Sequence, residues 1–468
     1  MTITASASGG LAEGLAAELA QRIDQRLLLP GARLPSVREA ARQRGVSPYT
    51  VVAAYDRLQA QGLVEARRQR GFFVREARAA LAPAAPKPLR AAGPAPFDAL
   101  TLIRSLLRAE HQDTPAHGTL PQGWLDAAPL RQALRSLLAP GAANDALLLR
   151  YADPAGDPEL RAVLAARLAD IGIAAAPDQL LTTVGATQAL DLIARSLAQP
   201  GDAVLVDEPG WPVEYARLAQ AGLRLLPVPR GALGPDLAQM AQLIQQHKPR
   251  LYVTVSVLHN PTGHCLTLGQ AHEVLRLCES AGTLIVEDDT YSAFAPVHSP
   301  RLAALDGLKH TLYVSGFAKI LGAGLRVGYV AGAPALIGQL TERKLVHELC
   351  TSALLERALA QILSRGQLRK QAERLQLRLE SARARCARLA ASHGFAFSAP
   401  PQGLFGWLDT TVDSERLAQR LLAEGFACAP ERLFSPSRRG GPHLRVNFAS
   451  SQDAKFWAAL ARARDALR

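Results

Sequence analysis

Apolar residues recur at helical spacing from Leu11 to Leu28, and Pro30-Gly31 ends the run. Ser36 is placed to cap a short second helix through about Arg44, which Gly45 breaks. Ser47 then starts a third helix to about Gln61, ahead of Gly62. Two short β-like runs from Val64 to Val74 flank Gln69-Arg70-Gly71 and predict a hairpin with arginines at its tip. From Ala77 to Pro96 the chain is almost only Ala and Pro, with prolines at 83, 86, 88, 94 and 96, and predicts an extended tether. Beyond it, apolar runs at 180–184, 203–207, 251–257, 283–287 and 311–315 alternate with helical stretches. That alternation predicts an α/β fold with a mainly parallel sheet.

Composition narrows the classes. At 468 residues, 48% hydrophobic and 20% charged, the chain is that of a globular protein with room for a large core. No apolar run approaches the roughly 20 residues of a membrane span. Glu13, Glu18 and Asp24 interrupt the first apolar stretch, so no secretory signal is readable and a cytoplasmic location is expected. Cysteines at 265, 278, 350, 386 and 428 are odd in number and never CxxC. They predict neither disulfides nor a metal site, and are expected to be small buried residues. The net charge of +12 is concentrated early: residues 1–78 hold 12 Arg against 7 acids. Only seven of the 53 basic residues are lysines, at 87, 248, 309, 319, 344, 370 and 455.

Two helices joined by a short Gly-containing turn are the helix-turn-helix pattern, whose second helix enters the DNA major groove. Pattern alone also fits a generic three-helix unit. The run LPSVREAARQRGVSPYTVVAAYDRLQAQGLVEARRQRGFFV resembles the winged helix-turn-helix of the GntR regulators over its whole length. The resemblance implies that Arg38, Ser47, Tyr49 and Thr50 meet phosphates and base edges of double-stranded operator DNA, with Arg67, Arg68, Arg70 and Gly71 at the wing. Pro48 stands where many of that family carry arginine, and is read as a first-turn proline.

In the body, ligands of such a sheet are expected at the carboxyl ends of the strands. There stand Gly185-Ala186-Thr187 opening a helix, Trp211, Asn260 in HNPTG, the crowded acids of EDDTY, and Lys319. Taken alone, each is also a loop turn, a helix cap or a packing indole. Together they are the parts of a pyridoxal phosphate (PLP) site: an amine for the aldehyde, an acid for the pyridine nitrogen, an amide and a phenol for the ring oxygen, and a phosphate cradle. HNPTG, EDDTY, GFAKILGAGLRVGY and LRVNF, in this order, resemble the fold-type I aminotransferases over about residues 100–468.

That resemblance makes Lys319 the Schiff-base lysine, Asp288 the nitrogen partner and Trp211 the stacking face, with Asn260 and Tyr291 as donors to the ring oxygen. Gly185, Ala186, Thr187 and Arg326 would hold the phosphate, Tyr151 would reach the phosphate of a neighbouring subunit, and Arg445 would pair with a substrate or effector carboxylate. The family's hydroxyl residues three and one positions before the lysine are here Gly316 and Ala318; Ser315, one residue off, would compensate in part. Asp289 beside Asp288 leaves the acid ambiguous, although its spacing to Tyr291 favours Asp288.

A winged helix-turn-helix domain at 1–78, a linker at 79–99 and an aminotransferase-like body at 100–468 resemble the MocR subgroup of GntR regulators. The fold expected is an α/β body of PLP-dependent transferase fold type I with a small α+β head. The function implied is a homodimeric, PLP-dependent transcriptional regulator sensing an amino-acid or amine effector, or PLP itself. The alternative is a working aminotransferase with a DNA-binding head.

Overall fold

Three helices and a hairpin make up the first unit: α1 (Leu11–Asp24), α2 (Val37–Arg44), α3 (Pro48–Ala60), β1 (Val64–Arg67) and β2 (Gly71–Val74). The computed structural model describes residues 10–25, 27–67, 70–75, 114–231, 233–296 and 298–468. The expected linker at 79–99 and Arg68 lie outside them. The chain divides into two units, Met1–Ala95 and Pro96–Arg468.

In the first unit the caps form as expected. Ser36 Oγ accepts the Glu39 N–H at 3.3 Å, Gly45 ends α2 at φ +64°, and Ser47 Oγ accepts the Thr50 N–H at 3.1 Å. Pro48 occupies the first turn of α3, where a missing N–H leaves no hydrogen bond unmade. Helix α1 stops at Asp24 rather than Leu28, because the Leu27 and Leu28 amides both fold back on the Arg22 carbonyl, at 2.9 and 3.1 Å. Leu15 and Leu19 pack with Val51, Tyr55 and Leu58 of α3 and with Val64 and Val74 of the hairpin. Burial of each such large side chain contributes roughly 1.5–3 kcal/mol.

The second unit is built on an eight-stranded sheet of β3 (Leu180–Thr183), β4 (Ala203–Glu208), β5 (Arg224–Gly231), β6 (Gly234–Pro235), β7 (Leu251–Thr254), β8 (Leu284–Asp288), β9 (Thr311–Gly316) and β10 (Gly328–Ala331). Its order is β3-β10-β9-β8-β7-β4-β5-β6, parallel from β9 to β5 and antiparallel at β10 and β6. The central strands are buried apolar runs, as strands covered on both faces must be. Strand β7 is shorter than expected. After Thr254 the Val255 amide turns toward the Asp207 carboxylate at 3.5 Å and the Ser256 hydroxyl donates to Glu287, so both leave the ladder. A second, antiparallel sheet, unforeseen in the sequence, joins β11 (Ala396–Phe397), β12 (Phe405–Asp409), β13 (Ala429–Pro430) and β14 (His443–Asn447) in the order β11-β12-β14-β13.

Cys278, Cys386 and Cys428 are buried as expected, but Cys265 and Cys350 are partly exposed at turns. No helix among the described residues is long and apolar enough to cross a membrane.

Candidate functional site

On the first unit, the residues expected at DNA are surface residues of α2, α3 and the hairpin. Arg38 is exposed and Tyr49 is 83% exposed at the start of α3. Ser47 and Thr50 lie beside Tyr49 with their hydroxyls 2.8 Å apart. In the wing, Arg67 Nε donates to Glu65 at 2.7 Å and its guanidinium lies over the Phe73 ring at 4.7 Å. Arg70 and Gly71 follow at the tip. Sequence reasoning passed over Arg33, which bridges to Phe73 and brings its guanidinium against Gly71. Its only signal was a basic residue just ahead of LPS.

In the second unit the strand ends converge on one cavity of about 150 Å³. Gly185, Ala186, Thr187, Trp211, Asn260, Asp288, Tyr291, Lys319 and Arg326 all line it. After β3, Gly185 turns at φ +77°, its own N–H taken by the Thr183 carbonyl at 2.8 Å, into the Ala186–Leu197 helix, whose first amides have no carbonyl of their own helix to bond. Space here is tight. A Cβ on Gly328 would stand 2.5 Å from the Gly185 carbonyl carbon and 2.6 Å from the Ala186 nitrogen, and one on Gly185 would stand 2.8 Å from Arg326 Nη2. Arg326 itself donates to the Val184 carbonyl at 3.0 Å.

Lys319 Nζ donates to the Gly118 carbonyl at 2.7 Å and stands 5.8 Å from the Tyr291 ring centre. Burial, with the Arg445 charge beside it, pulls its ammonium down to about 8, against a smaller opposing pull from Asp288. Asp288 is pushed up by burial and held down by Thr290, whose hydroxyl and N–H, the latter at 3.0 Å, both donate to Oδ1. Tyr291 is raised by burial beyond the ordinary phenol range. Asn260 Nδ2 donates to the Tyr291 hydroxyl at 3.4 Å, and Asn260 Oδ1 accepts from Arg445 Nη1 at 3.2 Å.

Four residues weighed for this site sit elsewhere. Ser315 donates to the Asp289 carbonyl at 2.9 Å and is 2% exposed. Side chains alternate along β9, so the hydroxyl of Ser315 faces away from the side that Gly316 presents to the cavity, and the compensation expected of it is not made. Asp289 likewise turns from the cavity to Arg301 at 2.6 Å and Tyr313 at 2.9 Å. Arg445 lies behind Asn260, its Nη2 on the Ala116 carbonyl and its guanidinium over Phe405 at 4.4 Å, where burial lowers it to about 10. Tyr151 is 84% exposed and outside this chain's cavity.

Other groups at or behind the cavity were given no role from the sequence. Thr119, Thr290 and Phe317 also line it. Behind Asn260, the buried Asp207 accepts from Tyr252 at 2.7 Å, Thr254 at 2.8 Å and Arg230 at 2.9 Å, with His259 Nε2 at 3.5 Å. Lys344, 1% exposed, donates to the carbonyls of Pro154 at 2.7 Å and Thr182 at 2.9 Å and so fastens the turn after Tyr151 to the end of β3.

Residues 116–462 match the family model of aminotransferase class I and II, and residues 11–74 match that of the gntR family of bacterial regulatory proteins. The HTH-type transcriptional regulator TauR of Rhodobacter capsulatus is 31% identical, over 94% of this chain and 93% of its own length. The probable rhizopine catabolism regulatory protein MocR of Rhizobium meliloti is 30% identical over 71% and 68%. Among solved structures, LysN, an α-aminoadipate aminotransferase of Thermus thermophilus complexed with N-(5'-phosphopyridoxyl)-L-leucine, superposes with a TM-score of 0.71. It is 25% identical over 78% of this chain and 95% of its own.

Proposed function

This chain belongs to the MocR-type GntR regulators, a winged helix-turn-helix head on an aminotransferase class I and II body, and from that premise we propose that its cavity binds PLP at Lys319 and senses an amino acid or amine. One observation carries the reading: a single cavity gathers a lysine with its ammonium lowered to about 8, a carboxylate, a phenol, an amide, an indole and an arginine beside a helix N-terminus. The group fits these residues. Ala186 and Thr187 open a helix and line the cavity together with Arg326, a helix N-terminus and a cation suited to a phosphate, and Asp288 and Lys319 line the same cavity, where they would meet the pyridine nitrogen and the aldehyde.

Bound there, PLP would supply an aldehyde that links covalently to amines and a ring that withdraws electrons. The chain's own residues bind and orient. The Gly185 turn with the 186 and 187 amides and Arg326 would hold the phosphate, Trp211 would cover the ring, Asp288 would hold a proton at the pyridine nitrogen, and Asn260 and Tyr291 would donate to the ring oxygen. The lowered Lys319 keeps a usable fraction of free amine near neutral pH. Arg445, held behind the cavity on Asn260 and the Ala116 carbonyl, would have to turn toward the cavity to receive an effector carboxylate.

In this reading the body pairs with a second copy. Leu149, Tyr151 and Val346 are each more than 80% exposed on segments that Lys344 brings together, an apolar set suited to such an interface. Effector binding then shifts the heads on operator half-sites, by contacts that differ between two states. Such a regulator works in the cytoplasm, on chromosomal DNA.

The test is to load the full-length protein with PLP and add a panel of amino acids and amines. The visible absorbance of lysine-linked PLP, operator binding and released keto acid are all followed. A ligand that shifts the band and operator affinity without keto acid supports the regulator. Sustained keto-acid release with an acceptor makes the chain an aminotransferase instead. Lys319→Ala abolishes the band while the fold is kept; a band retained in that variant assigns another lysine.

A further inference from the structure

The inference rests on the reading above and concerns what stands behind Trp211 and Asp288. Trp211 is the N-cap of the helix Pro212–Gln220, and that helix carries Glu214 and Arg217 as an ion pair, each side chain 8% exposed. Burying an ion pair is costly, and apolar residues of the same size often serve a core as well or better, so packing alone does not call for one here.

What the pair touches is the candidate site. Arg217 Nη1 donates at 3.2 Å to the carbonyl of Thr187, in the first turn of the Ala186–Leu197 helix, and its guanidinium lies 5.9 Å from the centre of the Trp211 ring. Glu214, Trp211, Asn260 and Asp288 line a further cavity of about 30 Å³, room for a water. Among the described residues, the buried Glu214 Oε1 and Arg217 Nε have no hydrogen-bond partner. The pair thus stands against three parts assigned above to the cofactor: the cradle helix, the stacking indole and the acid for the pyridine nitrogen. Its charge reaches that acid too. Burial pushes Asp288 up with help from Asp289, and Thr290 and the Arg217 charge draw it back. Burial in turn lowers Arg217 to about 10, against the pulls of Asp288 and Asp191.

We propose that Glu214 and Arg217 are a positioning pair for the cofactor: Arg217 fixes the Trp211 face to the Thr187 turn and, with Glu214 offsetting its charge, sets the field in which Asp288 and Lys319 work. Removing one charge of the pair then changes that field with one sign, and removing the other with the opposite sign. A merely structural pair would respond alike to both.

The experiment loads the full-length protein with PLP and titrates the visible band of the lysine-linked group with pH. The proton on the linking nitrogen answers to Asp288, Arg445, Arg326 and Tyr291 around Lys319, to Asp207 and His259 across the small cavity, and to Asp191, Asp289, Glu214 and Arg217 behind. Only the last two are varied. Arg217→Met removes a positive charge and is expected to raise the midpoint by up to about 1 in pH; Glu214→Gln removes a negative one and is expected to lower it by a similar amount. The double variant, neutral at this pair like the wild type, is expected to return near the wild-type midpoint, and Arg217→Lys, which keeps the charge, to stay near it. Melting of the PLP-free protein is followed in parallel, and Glu214→Gln, of the same shape as the residue it replaces, decides the matter alone should Arg217→Met not fold. Midpoints that stay put, or that move in one direction in both single variants, overturn the inference and leave the proposed function standing. No band in the wild type at any PLP concentration overturns the proposed function, and the inference falls with it.

Discussion

A carboxylate meets a guanidinium in both units at nearly the same distance, in opposite surroundings. In the wing, Glu65 and Arg67 are 2.7 Å apart with side chains 39% and 44% exposed; behind the cavity, Asp289 and Arg301 are 2.6 Å apart and 0% and 2% exposed. Water and salt screen the first pair, so it is worth about 0–1 kcal/mol. The second has no water to replace a lost partner. Few groups fix the body's site, each costly to remove, whereas the head's surface is a sum of weak, screened contacts. This is the physical division between a cavity that must hold one small molecule in one pose and a surface that must come on and off a polyanion.

Breaking the buried pair gives the largest effect. Asp289→Ala leaves Arg301 charged and enclosed, and is expected to destabilise the body by about 3–5 kcal/mol. Glu65→Ala should stay within about 0.5 kcal/mol. Urea unfolding of the full chain, followed separately by a body tryptophan signal and by helical signal, compares them. Equal shifts would remove burial as the governing difference.

The next test sharpens the comparison at Lys319, where burial and Arg445 lower the ammonium to about 8. The neutral amine is the capturing form, so the rate of PLP uptake should rise with pH and level off above about 8. An ordinary lysine, near 10.4, would carry the rise more than two units higher. Arg445→Met removes the second cause of the lowering and should move the midpoint upward. A midpoint that stays near 10 in the unaltered protein would mean the amine is not held as the geometry implies.

What could be read in advance follows the same division. Head helices declare themselves through local chemistry: Ser36 with Glu39, Ser47 with Thr50, and Gly45 in a left-handed turn all act within four residues. The end of α1 did not, because the amides that stop it answer to Arg22 and to packing. In the body, apolar runs marked the central strands and the residues after them. Strand β5 was hidden by Pro227 and Pro229, tolerated because most of its far edge is unpaired, and β10 is only four residues long. Ser315 was read toward the phosphate for want of the strand's register, which sends neighbouring side chains to opposite faces. The same alternation separates Asp288 from Asp289. Buried charges such as Asp207 with Arg230, or Lys344 on Pro154 and Thr182, looked like surface residues because their partners lie from 23 to 190 positions away.

The smallest effects per residue belong to the wing, and there the readout must be salt rather than stability. Arg67 lies on the Phe73 ring and on Glu65, so its side chain is held along the hairpin even without DNA, and Arg70 stands at the exposed tip. Replacing Arg67, Arg68 and Arg70 together by alanine should leave the melting of the head nearly unchanged, since exposed charges contribute little to folding. Each arginine that neutralises a phosphate releases counterions on binding, so the slope of log affinity against log salt should shallow by about 0.9 per arginine. Because Glu65 draws Arg67 partly away from a phosphate, Glu65→Gln should act in the opposite sense, raising affinity at low salt with a slope as steep or steeper. If the triple variant keeps the full slope, the wing does not touch the phosphates, and the head's contacts lie with Arg38 and the start of α3 instead.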